Sequence, residues 1–184
     1  MSEVHEHVLN RRYLLTKIVQ GFSLTGGLFL VYPFVRAWLP GVNQVHTHEV
    51  DISDLAFGEV KQVPWLGRQV MITIRSAEEV DALAEASLLL KDPESTQSKQ
   101  PEFARNSHRS QRADVFVAYG NCTHFGCILG PGKPNSPAKF SCPCHLSEFD
   151  GAGRVFAEAV APKNLEIPDY QFLSRNTLLL TSSG

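Results

Sequence analysis

The chain has 184 residues, 43% of them hydrophobic and 20% charged, with a formal net charge of -2 and a pI near 6.4. That length accommodates one globular domain plus an appendage. The near-neutral balance and the lack of any Lys/Arg-rich run argue against nucleic acid as a partner.

Composition shifts at the N-terminus. From Ile18 to Val35, IVQGFSLTGGLFLVYPFV holds eighteen residues without a charge, between Lys17 and Arg36. A helix of that length spans roughly 27 Å; with Ala37, Trp38 and Leu39 added and Arg36 snorkelling, it crosses a lipid bilayer. The alternatives are a buried helix and a cleaved signal peptide, but RAWLPG offers no good small-x-small cleavage site. Residues 17–39 are therefore predicted to be an uncleaved transmembrane anchor. Arg11, Arg12 and Lys17 precede it, so the positive-inside rule leaves residues 1–16 in the cytoplasm and the C-terminal part outside. NRRYLLTK is similar to a twin-arginine export signal, which handles proteins already folded around a cofactor. With no transit peptide in view, this points to the inner membrane of a bacterium and a periplasmic domain.

Residues 40–50, PGVNQVHTHEV, show no helical period and are read as a flexible linker. His46 and His48, like His5 and His7, have no other ligand type nearby and are read as solvated. Residues 51–184 form the main domain, predicted to be mostly β. EVKQVPWLGRQVMITIR reads as two strands around a Leu66-Gly67 turn, with Val70, Ile72 and Ile74 on one face of the second. SAEEVDALAEASLLL opens with a Ser76/Glu79 capping box and sets Val80, Leu83, Ala84, Ser87 and Leu88 at helical spacing. Pro93 to Arg112 reads as a long polar surface connection, DVFVAY (Asp114 to Tyr119) as a buried strand, and KNLEIPDYQFLSRNTLLLTSS as two closing strands.

All four cysteines fall in two short stretches, NCTHFGCILG and SCPCHLSEFD. Cys122-x-His124 and Cys142-x-x-His145, seventeen residues apart, supply two thiolates and two imidazoles. That set suits a tetrahedral zinc or an iron-sulfur cluster of mixed ligation, and it leaves Cys127 and Cys144 over. Structural zinc more often draws on C-x-x-C knuckles. Two plain disulfides would satisfy the even cysteine count but leave the histidines unexplained.

CTHFGC and SCPCH resemble the two boxes of the Rieske iron-sulfur proteins, specifically the subunit of the cytochrome bc complex. The likeness extends to the twin-arginine anchor, the linker, NSHRS before the first box and GRVF with NLEIP after the second. It implies a Rieske-type antiparallel β domain with a cluster-binding subdomain at about residues 120–163 and one 2Fe-2S cluster. By the same resemblance Cys122 and Cys142 bind one iron, His124 and His145 the other, and Cys127 and Cys144 form a disulfide between the loops. The function implied is electron transfer in a quinol:cytochrome c oxidoreductase. His145 would take a proton from membrane quinol as the cluster takes one electron, which then passes to a c-type cytochrome. The partners implied are cytochrome b and cytochrome c-type subunits of a dimeric complex.

The sequence departs from the family's pattern around the second box. Gly-Ser-x-Tyr-Asp becomes Leu146-Ser147-Glu148-Phe149-Asp150, Phe125 replaces a leucine of the first box, and EAVAP replaces a Gly-Pro-Ala-Pro loop, with Pro162 retaining the final proline. Ser147 retains a hydroxyl for a cluster sulfur, whereas Phe149 lacks the hydroxyl that the family's tyrosine donates. Phe125, Leu146 and Val160 make the docking tip bulkier and more apolar. Two other functions remain on the sequence alone: an oxygenase or its Rieske ferredoxin, and the Rieske subunit of a molybdenum oxidase such as arsenite oxidase.

Overall fold

A computed structural model describes residues 2–38, 45–133 and 136–183. It divides into two compact units, Met1–Gln44 and Val45–Gly184.

The first unit is one helix, α1, Ser2–Trp38. It starts well before the predicted residue 17, running through the tail, and Leu39 lies outside the described residues. The stretch Asn10–Trp38 is long and apolar enough to cross a membrane. Every side chain from Asn10 to Trp38 is exposed within this unit.

The second unit is mostly β, as predicted. Strands β1 (Val45–Asp51), β8 (Tyr170–Phe172) and β9 (Thr177–Ser183) form an antiparallel sheet in the order β1-β9-β8. Residues 45–50 therefore belong to a strand rather than to the predicted linker, of which residues 40–44 lie outside the described residues. The pairing Val45↔Ser183 through Asp51↔Thr177 explains why the pattern was missed. Only Val50 is buried in β1, so backbone hydrogen bonds hold it rather than an apolar alternation.

Strands β2 (Val60–Trp65), β3 (Arg68–Ile74) and β4 (Val115–Tyr119) form the second sheet, with β3 central. The predicted Leu66-Gly67 turn is present, with φ of 48° and 76°, the doubly left-handed pattern that matches the twist of a tight hairpin. β3 is buried on both faces: Met71 and Thr73 are as covered as Val70 and Ile72.

Helix α2, Ala77–Glu85, starts at the predicted capping box: Ser76 Oγ accepts from Glu79 N–H and Glu79 accepts from Ser76 N–H. Of its predicted apolar face only Leu83 is buried. The helix tightens to a 3₁₀ turn over Ala86–Leu89, which shifts the angular spacing and leaves Leu88 95% exposed. The connection after it is not simply surface, since Ser95, Arg109 and Ser110 within it are buried.

The third sheet, β5 (Gly130–Pro131), β6 (Phe140–Ser141) and β7 (Glu148–Phe149), carries the cysteine loops. It packs on the second sheet through Phe116 and Phe140, stacked at 6.1 Å. Gly153 (φ 67°) sits where a Cβ would come within 2.8 Å of the Phe116 ring, so a side chain there would push the subdomain off its base.

Candidate metal centre

Each cysteine loop folds on itself before it meets the other. Strand β4 ends at Tyr119, and Gly120 N–H donates to Gln69 C=O (2.8 Å), launching the first loop from the sheet edge. There Cys122 N–H donates to Cys127 C=O (2.8 Å) and Gly126 N–H to Cys122 C=O (2.8 Å). The second loop repeats the pattern between β6 and β7: Cys142 N–H donates to Ser147 C=O (2.8 Å) and Leu146 N–H to Cys142 C=O (2.9 Å). The fifth residue of each loop has positive φ, 76° at Gly126 and 55° at Leu146. Glycine adopts that region freely and leucine does so at a cost.

The loops are joined by a Cys127–Cys144 disulfide with Cα atoms 6.7 Å apart. Cys122 and Cys142 are free, with exposures of 3% and 1%. Two separate disulfides are thereby ruled out as the use of the four cysteines. The sulfurs of Cys127, Cys142 and Cys144 lie within 4.8 Å of one another, but two of them are bonded together, so this trio is the disulfide beside one free thiol.

The rings of His124 and His145 lie 4.7 Å apart at 80°, with Phe125 against His124 at 4.1 Å. His124 Nδ1 is buried without a hydrogen-bond partner. Burial pushes the Cys122 thiol up and the adjoining Cys142 adds to this, while the backbone N–H groups of His124 and Phe125 favour the thiolate. Two desolvated thiols and an orphaned imidazole nitrogen make poor sense as a finished protein interior. They fit a metal centre that supplies positive charge to the sulfurs and a bond to the nitrogen.

A third segment closes over the loops. Ala161 N–H donates to Ser147 Oγ (3.0 Å), and Ser147 is fully buried. Because that oxygen already accepts, its proton is free to be donated elsewhere. Lys91 Nζ donates to Ala159 and Ala161 C=O (2.7 and 3.0 Å), and Thr123 Oγ1 to Lys163 C=O (2.6 Å). Reading the sequence missed Lys91 and Thr123, whose partners are carbonyls and carry no side-chain signal. Phe149 is buried in the core, whereas Phe125, Leu146, Val160 and Pro162 are exposed.

The sequence matches the family model described as Rieske [2Fe-2S] domain over residues 89–171, which contains both loops and the covering segment. Its relatives include the ubiquinol-cytochrome c reductase iron-sulfur subunit of Allochromatium vinosum, 36% identical over 181 residues, covering 92% of this chain and 87% of that one. The same-named subunit of Rhodospirillum rubrum is 33% identical over 177 residues, covering 93% and 91%.

The chain belongs to the Rieske iron-sulfur subunits of ubiquinol-cytochrome c reductases.

As in other Rieske proteins, its cofactor is a 2Fe-2S cluster and its work is electron transfer. Zinc is thereby set aside, and neither the oxygenase nor the molybdenum-oxidase reading is favoured by these relatives. The Bradyrhizobium diazoefficiens iron-sulfur subunit, 31% identical over 168 residues, covers 89% of this chain and 90% of that one. At that coverage the family likeness includes at least part of α1 as well as the β domain.

Proposed function

We propose that this chain is the quinol-oxidising Rieske subunit of a bacterial cytochrome bc complex, with Cys122 and Cys142 holding one iron and His124 and His145 the other. The observation that carries this reading is the pair of buried free thiols set with two neighbouring imidazoles in loops clamped by a disulfide. When bound, the cluster supplies a one-electron couple whose potential is raised by exchanging two anionic thiolates for neutral imidazoles.

The protein's own residues divide the remaining tasks. Burial of Cys122 and Cys142 excludes water from the sulfurs, and the N–H groups of His124 and Phe125 stabilise negative charge at Cys122. His145 is exposed, so its ring is open to a hydrogen bond from quinol and to the proton that leaves with the electron. His124, half-buried, is the second imidazole of the pair. Phe125, Leu146 and Pro162 form the apolar tip that seats on cytochrome b, from which the domain passes its electron to a c-type cytochrome. The N-terminal helix anchors the subunit in the inner membrane with its N-terminus cytoplasmic and the Rieske domain periplasmic, in a dimeric complex.

Electron paramagnetic resonance of the dithionite-reduced full chain tests the ligand set. Two irons per chain and an average g below that of plant-type ferredoxins are expected, since imidazole donates less charge than thiolate. Zinc with a silent spectrum, or a single iron, overturns the assignment. Isolation of the native protein with b-type haem tests the complex.

A further inference from the structure

Beside α2 lies a second polar concavity that electron transfer leaves unused. A pocket of about 440 Å³ opens between α2 and the loops after it, within the size range of small-ligand sites. Its floor includes Arg154, whose side chain is only 3% exposed. Arg154 Nε and Nη2 are held by Asp150 Oδ2, each at 2.7 Å, and Nη2 also donates to Leu83 C=O. Its Nη1 makes no hydrogen bond among the described residues and keeps some access to solvent, on a residue that lines the pocket.

Buried cations outnumber buried carboxylates in the domain. Arg75, Arg109 and Arg154 are 1%, 1% and 2% exposed, and Asp150, at 2%, is the only carboxylate as deeply buried among the described residues. Arg75 and Arg109 rest mainly on neutral partners: His108 and Gly151 C=O for one, Ala152 and Leu165 C=O for the other. Asp92 is taken up by the N–H groups of Thr96 and Gln97 and by the Ser98 hydroxyl. Burial lowers both Arg75 and Arg109 to about 10, a loss of hydration that the nearby Asp150 carboxylate offsets only in part.

We propose that this pocket binds a small phosphate-bearing anion, with the free Nη1 of Arg154 as its principal donor. A guanidinium already fixed on two sides presents its remaining edge without further ordering, and buried surroundings strengthen the attraction. Arg105 adds a second positive charge at the mouth, partly committed to Glu102 at 3.1 Å, and Glu94 is the opposing charge on the rim.

The test uses the full-length, cluster-loaded protein in detergent, titrated with inorganic phosphate at constant ionic strength and followed by calorimetry and by the thermal midpoint. Saturable binding is expected in wild type. Ala84→Glu, at an exposed position of α2 that lines the pocket, should weaken binding about tenfold while leaving circular dichroism unchanged. Glu94→Gln should tighten it severalfold. Arg154→Lys keeps the charge but loses the fork and should also bind more weakly; the other two variants decide the matter if it fails to fold. A parallel titration with dihexanoyl phosphatidic acid below its micelle threshold separates the sources: tighter binding of that probe assigns a lipid headgroup, tighter inorganic phosphate a free anion. No saturable binding of either probe, equal stabilisation by chloride, or indifference to both Ala84→Glu and Glu94→Gln overturns the proposal.

Discussion

Single side chains around the cysteine loops set how readily the cluster accepts an electron. Phe149 is fully buried on β7, paired in register with Phe140, and brings no hydroxyl to a position where the family pattern has tyrosine. Phe149→Tyr should raise the midpoint potential, because reduction adds negative charge that a nearby donor stabilises. A differential of about 1 to 2 kcal/mol corresponds to about 40 to 85 mV for one electron. Ser147→Ala should lower the potential, since the hydroxyl that accepts from Ala161 has its proton left to give. Protein-film voltammetry at fixed pH reads both, and no upward shift in the tyrosine variant would place residue 149 out of reach of a ligand sulfur. Leu146 raises a different question. It holds φ 55° where Gly126 serves in the other loop, yet its side chain is 62% exposed and gains little burial for that strain. Leu146→Gly should therefore stabilise the loop by up to about 1 kcal/mol in thermal unfolding while slowing quinol oxidation by the assembled complex. A destabilised variant would mean that the leucine is kept for the fold and not for a partner.

At the scale of elements, the loops depend on one another more than on the core. Each is a short hairpin closed by a few backbone bonds, and the Cys127–Cys144 bridge restrains both. Cys127→Ser or Cys144→Ser should cost on the order of 2 to 4 kcal/mol and show first as thermal loss of visible absorbance, with far-ultraviolet dichroism retained. Unchanged absorbance loss would show the bridge to be idle. Acid should act elsewhere, on α2 and the loop after it. Burial works to raise Glu79 and Asp92, but Lys139 and the Ser76 N–H outweigh it for Glu79, and the N–H groups of Gln97 and Thr96 do so for Asp92. Both carboxyls end below their ordinary values, so their contribution is complete above about pH 4.5 and is lost as pH falls through the lowered folded values. Asp92→Asn should flatten that fall in a urea titration against pH. What the sequence disclosed follows the same scale. The Leu66-Gly67 hairpin, the Ser76 capping box and the two cysteine loops are local patterns and were legible. The burial of Arg75, Arg109 and Arg154 was not, because their partners are largely backbone carbonyls distant in sequence. Leu88 was misread because a helix that tightens after Glu85 no longer keeps its period.

For the whole molecule, the boundary between anchor and domain decides what can be separated from what. Unit Val45–Gly184 contains all three sheets and a continuous core from Val50 to Leu180, so it has what independent folding requires. A chain beginning at Val45 should fold, retain its cluster and unfold at the temperature of the detergent-solubilised full chain. A chain beginning at Ile52 tests whether residues 45–50 act as tether or as structure. It lacks β1, which uncovers one edge of β9 along the seven paired positions Val45–Asp51 and removes the buried Val50. The lost burial and ladder bonds should destabilise it by about 2 to 4 kcal/mol and expose a strand edge prone to self-association. The five leading positions carry little apolar burial, so the loss should come mainly from backbone pairing, and Val50→Ala in the longer chain should reproduce only a minor part of it. Thermal melts of the three chains with light scattering give the answer: equal midpoints for the Val45 and Ile52 starts would return residues 45–50 to the hinge.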